Sequence, residues 1–126
     1  MAFRLTAHNK TRGARLVRCG RVADNIITRV IGLLMHGVME NGGGLWIVPC
    51  NSIHSIGMRF VFDAVFLDKH LRVVHLVHEM KPWRISKMVF GAHSVLEIPS
   101  GMIVQSGTEI GDQIQMTKEY FPGRVF

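Results

Sequence analysis

A chain of 126 residues and 14.2 kDa has room for one compact domain and too little for two ordinary ones. Its 48% hydrophobic and 19% charged residues exclude a disordered polymer, and thirteen glycines without a triplet period exclude a collagen-like one. The formal net charge of +6 is confined to the start: Arg4, Lys10, Arg12, Arg15, Arg18 and Arg21 precede the first acid, Asp24, and the nine basic and nine acidic residues from Asp24 onward balance.

In chain order, residues 1–13 read as a basic flexible arm and residues 14–126 as a single α+β domain. Such an arm can serve nucleic acid, anionic lipid or an acidic partner, or simply keep sheet edges apart. No nucleic-acid fold motif accompanies it, so no specific nucleic-acid binding is expected. Residues 15–19 read as a short strand. Asp24 suits a helix N-cap, and Ile27, Val30, Ile31 and Leu34 recur at helical spacing, which predicts the main helix over residues 24–36 before Gly37. Residues 45–48 predict a strand stopped by Pro49. Residues 60–67 predict a central strand, with Phe60, Phe62, Ala64 and Phe66 on one face and Val61, Asp63, Val65 and Leu67 on the other. A turn at residues 68–70 joins it to a hairpin partner over residues 71–78. After a loop at residues 81–84, a strand over 94–98, a short helix over 103–106 ended by Gly107, and a last strand over 113–116 complete the chain. The expected fold is a small, open β-barrel-like, twisted antiparallel or mixed sheet with one main helix packed on it.

Cys19 and Cys50 are too few for a disulfide scaffold. The start carries no apolar leader segment, and the longest charge-free run, residues 41–58, is broken by Gly42, Gly43, Gly44 and Pro49. The expectation is a cytoplasmic protein with reduced thiols and no membrane span.

Several blocks together resemble the domain of unknown function 192 family of bacteria and archaea. Arg29-x-x-Gly32-Leu33-x-Met35 is similar to its Arg-x-x-Gly-Leu-Met signature, with one extra residue before Met35 or Leu34 in place of the methionine. Gly44-Leu-Trp-Ile47, Asp63-Ala-Val-Phe66-Leu-Asp68 and Ala92-His-Ser-Val-Leu96-Glu97-Ile-Pro99-Ser-Gly101 follow in its order, and Gly107 and Gly111-Asp112 fit its end. The likeness covers about residues 14–116. His54-Ser55 stands where many members carry Trp-Met, and Val61 where they carry proline; the stretch Asn51-x-x-His54-x-x-Gly57-Met-Arg59 marks a sub-branch. The resemblance implies a small open barrel-like fold and no established activity or catalytic residue.

Three constellations are candidates for chemistry. Asp63 and Glu97 stand inside apolar strands, where a carboxylate must be paired or hydrogen-bonded. They form either a structural ion-pair network with Arg29 and Arg59 or, if their pKa values are pushed apart, an acid and a base. Cys50-x-x-x-His54, with His75, His78 and His93 elsewhere, has zinc-ligand or nucleophile–base chemistry, but without a second short motif no metal is expected. His75 alternates with Val73 and Val77 as a cross-strand residue would. In Lys81-Pro-Trp83-Arg-Ile-Ser-Lys87 the tryptophan can stack on a ligand or cover the end of a barrel; covering is the expectation. The leading reading is a non-enzymatic ligand- or protein-binding accessory module, with His54, Arg59, Asp63, Trp83 and Glu97 as the candidate ligand site. It would need no cofactor and would act as a monomer or weak homo-oligomer on an unknown protein or small-molecule partner. The rival is a small enzyme using Asp63 and Glu97, or Cys50 and His54.

Overall fold

β4 (Phe62–Leu67) is buried at every position, and the fold is organised around it. A computed structural model describes residues 2–23, 42–55 and 60–121. Its strands are β1 (Ala2–Asn9), β2 (Ala14–Ala23), β3 (Leu45–Ile47), β4, β5 (Val73–Met80), β6 (Ser94–Pro99) and β7 (Ile114–Phe121), with helix α1 (Met102–Ser106) between β6 and β7. They form one seven-stranded mixed sheet in the order β5-β4-β6-β3-β2-β1-β7, antiparallel except for the β2–β3 pair. The sheet does not close. Its outer strands β5 and β7 meet only beside Arg72 and Gln113, through one isolated bridge. The main helix expected over residues 24–36, and Arg29 with it, lies outside the described residues.

Alternation on β4 divides the core in two. Phe62, Ala64 and Phe66 enter a cluster with Leu45, Ile47, Ile53, Met80, Val89 and Val95. Val65 and Leu67 enter another with Leu5, Val17, Leu96, Ile98, Ile103 and Ile114. Neighbours on a strand point to opposite faces, so apolar residues at successive positions require cover on both sides.

Residues 2–9 correct the expectation of a loose arm. They form β1, an interior strand that pairs with β2 and, from Ala2↔Phe121 to Asn9↔Ile114, with β7. Leu5 and Ala7 are buried, while Arg4 donates to Glu119 on β7 through Nε at 3.0 Å and Nη2 at 2.8 Å. The β1–β2 turn is fastened to the opposite end of the chain. Buried Asn9 donates to Thr108 Oγ1 and Asp112 Oδ2, both at 3.0 Å, and Arg12 Nε donates to Asp112 Oδ2 at 2.9 Å. Arg12 also pairs with Glu109. Burial pushes the Asp112 carboxyl up, but hydrogen bonds from Arg12, Asn9 and the Glu109 N–H outweigh it and hold the group at about 2. β7 is correspondingly longer than the predicted 113–116, because β1 supplies its ladder.

Gly20 and Gly44 show how closely β2 and β3 approach. A Cβ on Gly44 would lie 2.6 Å from Val17 Cγ2 and 3.2 Å from the Glu97 carbonyl oxygen, and one on Gly20 would lie 2.8 Å from the Gly44 carbonyl oxygen. Glycine is needed there for space, at the entry to the strand that β6 pairs with on its other side.

Candidate functional site

The two candidate carboxylates are held by adjacent strands but face opposite sides of the sheet. In the β4–β6 register Asp63 stands opposite Ile98 and Ala64 opposite Glu97. Cross-strand partners share a face, so Asp63 lies on the Ile98 side and Glu97 on the Ala64 side. An acid–base pair across one substrate is therefore not what the sheet builds.

Asp63 is fully buried and serves the backbone. The β4–β5 register slips between Phe62 and Ala64, which puts a bulge at His78 and Glu79. Glu79, at φ 49°, donates its N–H to Asp63 Oδ1 at 2.8 Å. The Ile103 N–H, in the first turn of α1, donates to Asp63 Oδ2 at 2.9 Å. Gly101 at the start of α1 offers no side-chain cap, and Asp63 supplies one from the sheet.

Glu97 has the opposite situation. It is buried between Leu45 and Ala64, and neither carboxylate oxygen has a hydrogen-bond partner among the described residues. Burial pushes its carboxyl up to about 8, so the group is largely protonated at neutral pH. Arg29 and Arg59, the arginines expected beside these carboxylates, lie outside the described residues.

His54 and Trp83 come together elsewhere, on two loops locked to each other. His54 forms an isolated bridge with Ile85. Ser55 is the hub. Its N–H donates to the Arg84 carbonyl at 2.8 Å, and its carbonyl accepts the Trp83 N–H at 3.0 Å. Its hydroxyl donates to the Lys81 carbonyl at 2.5 Å and accepts the Arg84 N–H at 2.9 Å. Ser86 N–H donates to the Ile53 carbonyl at 2.8 Å, Ile53 N–H to Ser86 Oγ at 2.9 Å, and Val89 N–H to the Asn51 carbonyl at 2.9 Å. Met80 and Val89 turn inward and fill the core, so Trp83 does not cover the sheet as expected. It is 66% exposed, at φ 63°, a conformation that bulky side chains rarely adopt. Ile85, Met88 and Phe90 are 73%, 62% and 93% exposed.

Beside this loop runs a groove of about 310 Å³ between β5 and residues 81–87. Lys81, Arg84, Lys87, His75 and His78 line it, with Glu79 as its acid among the described residues. His75 packs edge-on against its cross-strand partner Phe66, ring centres 5.3 Å apart, and burial with nearby Lys87 lowers its pKa.

Cys50 and His54 stand in different surroundings. Cys50 Sγ donates to the Ser52 carbonyl at 2.9 Å and packs against the core, whereas His54 is exposed. Among the described residues no three His, Cys, Asp or Glu side chains gather as a metal site would require. The exposed Ile85, Met88 and Phe90 escaped the sequence reading. Their signal was available: residues 80–96 contain no acid, and these side chains alternate with cations.

Comparison with known proteins agrees with the block order in the sequence. The DUF192 family model, described as Uncharacterized ACR, matches residues 7–116. A UPF0127 protein of Pyrococcus furiosus is 30% identical over 115 residues, covering 87% of this chain and 97% of the relative. A UPF0127 protein of Thermococcus sibiricus is 33% identical over 116 residues, covering 88% and 74%. The crystal structure of a protein of unknown function from Novosphingobium aromaticivorans has the same fold, with a TM-score of 0.73 at 18% identity over 89% of this chain and 83% of that one.

Proposed function

The chain belongs to the DUF192 family, and we propose that it works as a non-enzymatic binding module whose binding face is built from residues 51–55 and 81–90. The observation that carries this reading is the exposure of Trp83, Ile85, Met88 and Phe90 on a loop whose backbone is fixed by Ile53, Ser55 and Ser86. Exposed apolar clusters of this kind mark interaction surfaces, and a pre-ordered loop loses less entropy on binding than a mobile one. The rival enzyme reading has less support. Asp63 spends both oxygens on backbone N–H groups, and Glu97 is closed off from solvent on the other face.

A photo-crosslinking residue placed at Trp83 or Phe90 is expected to give a discrete adduct in cells, and none when placed at Val104, an equally exposed apolar position on α1. Glu97→Gln should leave the adduct unchanged. Adducts that vanish in a folded Glu97→Gln variant would favour carboxylate chemistry, and equal labelling at Val104 would remove the case for this face.

A further inference from the structure

Between Met80 and Leu96 the chain has no aspartate or glutamate. In that run Lys81, Arg84 and Lys87 alternate with Trp83, Ile85, Met88 and Phe90, and all seven side chains are exposed. The loop is held at residues 53, 55 and 51 and anchored from below by buried Val89, so these side chains are not exposed through fraying. We infer that this loop is an interfacial membrane anchor, which places Trp83, Ile85, Met88 and Phe90 at the boundary of headgroups and acyl chains in an anionic bilayer while Lys81, Arg84 and Lys87 meet lipid phosphates.

This inference rests on the reading of the loop as the binding face and supplies its occupant. The composition favours lipid over the other polyanions. Nucleic acid would use Trp83 and Phe90 for stacking, but bases and phosphates offer nothing to Ile85 and Met88. A bilayer accepts aromatic and aliphatic side chains alike and needs no matching pocket. Aromatic rings prefer its interface, and lysine and arginine prefer its anionic surface. The groove next to the loop is lined by the same three cations, Lys81, Arg84 and Lys87. Among the described residues no helix is long and apolar enough to cross a membrane, so attachment here is to the surface.

The test uses the full chain and phosphatidylcholine vesicles with and without phosphatidylglycerol. Cosedimentation is expected with the anionic vesicles, weakening as salt rises. Trp83→Ser and Phe90→Ser should each lower partitioning by about tenfold, the effect of withdrawing one large apolar side chain from the interface. Lys81→Glu and Lys87→Glu should each lower it by at least about fivefold. Val104→Ser should leave it unchanged. Tryptophan emission should move to shorter wavelength on binding, and Trp83→Phe, which retains Trp46, should abolish that shift. No partitioning onto anionic vesicles at low salt, or partitioning indifferent to Trp83→Ser and Phe90→Ser, overturns the inference. If vesicles fail while crosslinks from positions 83 and 90 reach a single protein or a nucleic acid, the membrane occupant is wrong and the binding face stands. If both experiments fail, both readings fall.

Discussion

Asp63 and Glu97 occupy neighbouring strands and meet burial in opposite ways. Asp63 accepts one backbone N–H on each oxygen, from a bulge on β5 and from the first turn of α1. Asp63→Ala would leave two donors without an acceptor and is expected to cost about 2–4 kcal/mol, read as a lower urea midpoint with unchanged slope. A loss under about 0.5 kcal/mol, the range of a neutral surface change, would show that water replaces the carboxylate. Glu97 has no such partners among the described residues, and its carboxyl titrates near 8 when folded against 4.5 for the ordinary group. Between those values the folded chain keeps a proton that the unfolded chain releases. Stability from this group is therefore full in acid, falls as pH rises through that window, and levels off above about 8. Glu97→Gln keeps the shape and abolishes the titration. Its advantage over the parent should grow with pH, to a few kcal/mol at most, when urea midpoints are compared at intervals from acid to mildly alkaline pH. Parallel pH profiles for parent and variant would mean that Glu97 is ionised and compensated in the folded state.

At the scale of elements, β1 is the least expendable strand that looks dispensable in the sequence. It lies between β2 and β7, and it contributes Leu5 and Ala7 to the core and Asn9 to the bonds that fix Asp112. Deleting residues 2–9 should abolish cooperative unfolding, followed by near-ultraviolet circular dichroism. A truncated chain with a sharp transition would return β1 to the status of an accessory arm. The strand was partly legible. Arg4, Thr6 and His8 alternate with Leu5, Ala7 and Asn9, but two of the three inward residues are a small alanine and a polar asparagine. A period-two pattern built from such residues is weak, and the surrounding cations mask it. β4 was legible because apolar residues fill both of its faces except at Asp63. The split of Asp63 from Glu97 was not, because it depends on the register between two strands about thirty residues apart in sequence. The exposure of Trp83 was also hidden, since sequence does not tell which of Met80, Trp83 and Val89 fills the core.

Over the whole molecule, charge that is segregated along the chain is partly paired in space. Arg4 meets Glu119, and Arg12 meets Glu109 and Asp112, so the acids of the last quarter of the chain balance cations of its first tenth. Arg15 and Arg18 remain with Arg4 around a second groove of about 320 Å³ on the β1–β2 side. The early excess is thus a fixed patch on a sheet rather than a tether that wraps a partner. The ladder that produces this pairing has a further topological meaning. Ala2 stands directly across from Phe121, so the chain enters and leaves the sheet at one doorway, about one strand spacing wide. A unit with adjoining entrance and exit can be spliced into a surface turn of a host polypeptide without stretching the host's path.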